Sequence, residues 1–240
     1  MDYIYIMTQN TERMLHTGNL STFLSHVRTE SKENKAGSSG INLNAKKLIR
    51  EGNKRQGNHL QRVRMSGEDF LYNLRNNFYI GNYQAAINEA DSIQDSEEKS
   101  LFVYRCYIGL GNYELVQDEI QNDSSPSLLA LKYFAMYLQD RSSYESILEK
   151  LGNLSQTELT AIVTSLVHYY ENRIDEGLRA VASLTTIESM SLMVHGLLML
   201  NRVDKASDIY KRMQQQDEDH TVTALTGTWI TIAKVRTAFS

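Results

Sequence analysis

The residues of this 240-residue chain that come nearest to chemistry are two histidines, His168 and His195, a single cysteine, Cys106, and the acidic run Asp217-Glu218-Asp219. The histidines lie about one helix hairpin apart, at nearly equivalent positions. Two imidazoles so placed could begin a metal site or a proton relay. No third ligand stands at a suitable spacing, which favours satisfied or half-exposed histidines on a helix. Arg105, next to Cys106, could lower the thiol pKa, but a small buried apolar cysteine is the expectation. The acidic run lacks the alternating spacing and distal Glu of a calcium loop, so it reads as a capping loop with Asp219 near the next helix start. No nucleophile elbow, phosphate loop, dinucleotide fingerprint or paired-histidine zinc motif occurs. We therefore expect no catalytic residues, no metal, no cofactor and no small-molecule substrate.

The charge is unevenly spread. Residues 1–64 carry 11 Lys and Arg against 5 Asp and Glu, and residues 65–240 carry 14 against 24. Residues 32–40 read as a flexible linker. Residues 46–64 gather Lys46, Lys47, Arg50, Lys54, Arg55, Arg62 and Arg64 without an aromatic residue on which a base could stack. A basic, disordered extension over 1–64 is expected, rather than a nucleic-acid arm. One cysteine excludes an intramolecular disulfide. No stretch has the roughly 18 continuous apolar residues of a membrane span.

Beyond residue 64 a short string recurs: Gly-Asn-Tyr83, Gly-Asn-Tyr113, Ser-Ser-Tyr144, Asn-Arg-Ile174 and Asn-Arg-Val203, at steps of 30, 31, 30 and 29 residues. A fixed period in this range marks a solenoid of stacked supersecondary units. Apolar residues at helical spacing precede each string, as in Phe70, Leu71, Leu74 and Phe78, and a second amphipathic stretch follows it. Three residues past each string stand Ala86, Val116, Ile147, Gly177 and Ala206, mostly small or β-branched, as a close helix crossing needs. The spacing predicts an all-α, tetratricopeptide-like α-solenoid over 65–240. It has about five helical hairpins and an unpaired final helix from Thr221, whose Trp229, Ile230 and Ile232 would be exposed.

Such stacks turn their first (A) helices to a concave face. Alignment on the post-turn residue puts Leu71, Leu101 and Ile162 in one column, Arg75, Arg105, Met136 and Leu166 in a second, and Phe78, Ile108 and Tyr169 in a third. These ten residues are the candidate partner-binding set. An apolar wall with two arginines suits an extended protein segment with an acidic part. The alternative is a solvated or self-packed face.

Particular strings carry a resemblance as well. Phe78-Tyr79-Ile80-Gly81-Asn82-Tyr83-Gln84, Tyr104-Arg105-Cys106-Tyr107, Ser124-Ser125-Pro126 leading to Phe134-Ala135-Met136-Tyr137-Leu138, and Leu200-Asn201-Arg202-Val203-Asp204-Lys205-Ala206 through Trp229 are similar to the epsilon subunit of coatomer. The resemblance is collinear over about 69–233. It implies a non-catalytic, cytosolic subunit of the COPI vesicle coat that binds the C-terminal region of the alpha subunit. Such a subunit reaches Golgi membranes and vesicles peripherally, through the complex, in retrograde Golgi-to-ER and intra-Golgi transport. Family members start near Met65 and continue past Trp229, whereas Val235–Ser240 looks unlike them. The resemblance thus implies an incomplete or mis-predicted form. A tetratricopeptide co-chaperone or peptide-binding adaptor is the alternative. It needs a cationic clamp on successive A helices, for which Arg75, Arg105 and Lys132 are the candidates.

Overall fold

The computed structural model describes residues 69–238. The expectations for the basic segment 1–64 and for the last two residues lie outside them. Among the described residues there are eleven α-helices and no strand. They are α1 (Tyr72–Tyr79), α2 (Tyr83–Ala90), α3 (Glu97–Gly109), α4 (Tyr113–Glu119), α5 (Pro126–Gln139) and α6 (Tyr144–Gly152). They continue as α7 (Glu158–Tyr170), α8 (Ile174–Val181), α9 (Ile187–Met199), α10 (Val203–Gln216) and α11 (Thr221–Ala238). Odd-numbered helices are the A helices and even-numbered ones the B helices. The five hairpins and the final helix read from the period are all present.

The recurring string has a backbone cause. Gly81, Gly111, Asn172 and Asn201 all adopt positive φ, between 57° and 82°. That region costs most residues a clash and favours Gly, with Asn next. At each, two amides fold back on the helix end: Gly81 N bonds Phe78 O, and Asn82 N bonds Asn77 O at 2.8 Å. The same pair of bonds recurs at Gly111-Asn112, Asn172-Arg173 and Asn201-Arg202. These are Schellman caps, which satisfy the last carbonyls and turn the chain sharply into the B helix. The third hairpin departs from the others. Its turn is a short 3₁₀ segment, Arg141–Ser143, capped by the Asp140 carboxylate on Ser142 N at 3.0 Å.

A-helix starts are marked by hydroxyl caps. Ser96, Ser125, Thr157 and Thr186 accept from the amides of Lys99, Leu128, Thr160 and Ser189. Ser96 was not read from the sequence, and it starts α3 at Glu97. The loop before α11 is another difference. Asp217 accepts from Asp219 N within the loop, and His220 caps the helix, its Nδ1 accepting from Val222 N at 3.1 Å.

Each B helix packs on its own A helix and on the next one. The crossing residues Ala86, Val116, Ile147 and Ala206 are fully buried, and Gly177 is buried as well. Gly177 and Gly196 are required by one ring: a Cβ at either would run into Tyr169. The A helices also touch in series, α1–α3–α5–α7–α9–α11, and α11 returns to α1. They therefore close into a ring. One expectation is corrected: Ile230 is 2% exposed rather than open, on a helix packed against α9, α10 and α1. Trp229 is half-buried, and Ile232 remains exposed. Helix α11 runs on through Val235 to Ala238.

Candidate functional site

The ring of A helices surrounds a cavity of about 520 Å³. Its walls come from five of the six A helices, with Gln216 at the end of α10. Arg75 and Tyr79 stand on α1, Leu101, Phe102 and Arg105 on α3, and Ser127 on α5. Glu158, Leu159 and Ile162 stand on α7, and Ile187 and Glu188 on α9, with His220 at the approach to α11. A smaller apolar gap lies against the cavity, lined by Phe78, Ile108, Leu131, Leu166 and again Arg105 and Ile162.

Arg105 organises the centre. Its guanidinium lies 4.3 Å from the Phe78 ring and 5.2 Å from the Phe102 ring, and it is ion-paired with Glu188. Both side chains of the pair are only 13% exposed. Burial works against the Arg105 charge. The facing carboxylate outweighs it and holds the guanidinium above its ordinary pKa. The other Glu188 oxygen lies 3.5 Å from the Tyr79 hydroxyl. Burial, then the Glu188 charge, pushes the Tyr79 pKa up. Tyr79 in turn packs against the His220 ring, at 5.6 Å between centroids. Nearer the rim, Arg75 is paired with Glu98 at 2.9 Å, and Glu158 is hydrogen-bonded to Thr186.

The ten sequence-derived residues divide. Arg75, Leu101, Arg105 and Ile162 line the cavity, and Phe78, Ile108 and Leu166 line the apolar gap beside it. Leu71 is half-buried at the N-cap of α1. Met136 is half-buried on α5 and lines neither space. Tyr169 is 3% exposed, sits against Gly177 and Gly196, and donates to the Leu192 carbonyl at 3.2 Å. Tyr79, Phe102, Glu158, Glu188 and His220 were missed. Glu98, Glu158 and Glu188 fall in the first turns of their A helices, where acidic residues suit the helix dipole. That placement hid their second position on the cavity wall.

His168 Nδ1 is 3.0 Å from the Tyr144 hydroxyl, whereas His195 is 4% exposed and packs on the Tyr169 ring. Among the described residues no three His, Cys, Asp or Glu side chains gather as a metal site. Cys106 is fully buried, and burial pushes its thiol up to about 12. Lys132 donates to the Ile120 carbonyl at 2.8 Å and to Asn122 at 3.2 Å. All three cations of the supposed carboxylate clamp are thus held by this chain's own groups.

A protein-family profile described as the coatomer epsilon subunit matches residues 67–239. The chain belongs to the coatomer epsilon subunit family. Coatomer subunit epsilon-1 of Arabidopsis thaliana is 35% identical over 179 residues, which cover 70% of this chain and 61% of that protein. Coatomer subunit epsilon-1 of Oryza sativa subsp. japonica is 35% identical over 187 residues, covering 73% and 65%. Coatomer subunit epsilon of Dictyostelium discoideum is 30% identical over 184 residues, covering 69% and 61%. The epsilon family match runs on to residue 239, across the Val235 segment that the sequence comparison set apart. The chain spans about three fifths of the length of these relatives. Among the described residues no helix is long and apolar enough to cross a membrane.

Proposed function

We infer that this chain is a non-catalytic structural subunit of a COPI vesicle coat, which it joins by holding the C-terminal region of the alpha subunit against its A helices. The supporting observation is the inner wall itself: a family scaffold whose A helices enclose a cavity of mixed apolar and charged character. Leu101, Ile162 and Phe102 supply apolar contact beside the Arg75–Glu98 and Arg105–Glu188 pairs. An extended segment suits such a wall, since its backbone meets polar side chains while alternate side chains enter apolar hollows. Through that complex the subunit works in the cytoplasm, peripherally on Golgi membranes and vesicles, in retrograde and intra-Golgi transport.

The co-chaperone alternative is weaker, because Arg75, Arg105 and Lys132 are already engaged within the chain. Isolation of the native protein from cytosol tests the main reading. Recovery of a stoichiometric heptameric coat supports it, and recovery without coat subunits contradicts it.

A further inference from the structure

The two ends of the A helices differ in charge. The five B-to-A connections, taken with the first two residues of the A helix that follows, hold ten Asp and Glu and no Lys or Arg. The five A-to-B turns, taken with the first two residues of the B helix, hold six against three arginines, Arg141, Arg173 and Arg202. Four of the ten, Glu97, Glu98, Glu158 and Glu188, suit the dipole of their helix start, but the other six precede the helices. Among the described residues only Asp95, Glu98 and Glu188 of the ten have a cation at ion-pair distance. The cavity opens at this acidic end. Its exposed lining residues, Glu98, Glu158 and Gln216, belong to that end, whereas Phe102 and Ile162 are buried further along their helices.

We propose that the cavity takes a basic segment: the partner chain enters at the A-helix starts, lays apolar side chains on Leu101, Phe102 and Ile162, and sets Lys or Arg against Glu158 and the carboxylates around it. This rests on reading the cavity as the alpha subunit's seat, and it adds the charge that the seat selects. The arginines that would receive an acidic segment, Arg75 and Arg105, already face Glu98 and Glu188. An anion would have to displace one of these carboxylates and pass the unmatched ones. Burial raises the Tyr79 pKa most, and the Glu188 and Glu158 charges add to it, so Glu158 acts across the cavity on α1. A cleft lined by one sign of charge over apolar walls concentrates its field and speeds the arrival of the opposite charge. Each exposed carboxylate adds little to final affinity, so the selection shows chiefly in association rate and salt dependence.

The association rate of the purified C-terminal region of a coatomer alpha subunit with the full chain tests the sign. It is measured between about 0.01 and 0.15 M salt, where the screening length shortens from roughly 30 to 8 Å. Glu158→Gln with Glu218→Gln removes two charges at the acidic end, and Glu145→Gln with Asp175→Asn removes two at the other; all four positions are exposed. Association is expected to slow with salt. The acidic-end variant should lose about threefold or more of the low-salt rate, and the control should stay within about twofold. Equal rates in the two variants, or association that speeds up with salt, overturn the proposal. A faster acidic-end variant also overturns it and assigns the carboxylates to this chain's own basic residues 46–64. If wild type does not bind, the seat reading fails, and the charge is decided with short labelled peptides alternating Val with Lys or Val with Glu. Stronger binding of the lysine peptide, reduced in the acidic-end variant alone, supports the basic seat, and any other result overturns it.

Discussion

Arg105 on α3 is ion-paired with Glu188 on α9 although 83 residues separate them in sequence. In a stack whose neighbouring repeats are about 30 residues apart, that pair spans the ring's diameter. It turns a row of hairpins into a closed collar with a definite interior.

Tyr169 fixes the close approach of α7 to α8 and α9, and its glycine neighbours give a paired prediction. Gly196→Ala places a methyl against the Tyr169 hydroxyl, and Gly177→Ala places one against the ring edge. Overpacking of this kind costs about 1–3 kcal/mol, which exceeds the roughly 1 kcal/mol that Ala gains over Gly in a helix. Adding Tyr169→Phe should restore part of the loss in Gly196→Ala, where the ring carbon and Leu178 still crowd the methyl, and less in Gly177→Ala. Urea unfolding of the two double variants measures the difference. Equal rescue in both would contradict the packing.

The turns give a second prediction. Gly111 has φ of 80°, and a Cβ there would meet nothing within 4 Å. The cost of Gly111→Ala is therefore purely conformational, about 1 kcal/mol. Gly111→Asn should cost less, because Asn172 and Asn201 hold the same conformation in later repeats. Thermal melts of both variants would sink this account if Ala and Asn proved equivalent.

His195 makes stability depend on pH. Burial lowers its pKa from 6.5 to about 4. The unfolded chain therefore takes up a proton that the folded chain refuses. Stability is unaffected by this group above about pH 6.5, falls as pH drops, and levels off below about 4. The full loss is about 3 kcal/mol. Burial also lowers His168 and His220, which act with the same sign. Unfolding free energies at pH 7.5 and 5 should differ less in His195→Met than in the parent protein. An undiminished difference would remove His195 as the cause.

Cys106 should behave as an inert core residue. With no exposed surface and its thiol pushed up to about 12, it should resist alkylation at pH 8 in the folded protein. It should react at the rate of unfolding once urea is added. Rapid modification of the native protein by iodoacetamide would show that the site is open.

The hairpins were legible because the turn chemistry repeats. A Gly or Asn that must adopt positive φ recurs about every 30 residues, and a small crossing residue follows at a fixed distance. The third turn, with Arg141–Ser143, departs from the rule and was still located by Tyr144. The cavity was half legible. Column alignment found Arg75, Leu101, Arg105 and Ile162, because residues on one face of successive A helices must point one way. It also gathered Tyr169, which points between helices: a period fixes helix faces only to within a fraction of a turn. Ring closure left no local trace. Glu188 looks like an ordinary first-turn acid, and only the cumulative rotation over the three repeat steps from α3 to α9 brings it to Arg105.

The central claim is that the inner wall of the collar holds the alpha subunit. Its most direct test is a calorimetric titration of the alpha subunit's C-terminal region into the wild-type chain and into Leu101→Asp. Leu101 is half-buried and lines the cavity. We predict saturable binding to wild type and a loss of about tenfold or more in the variant, with helical content unchanged. Equal affinity for both would place the partner elsewhere on the surface and contradict the account.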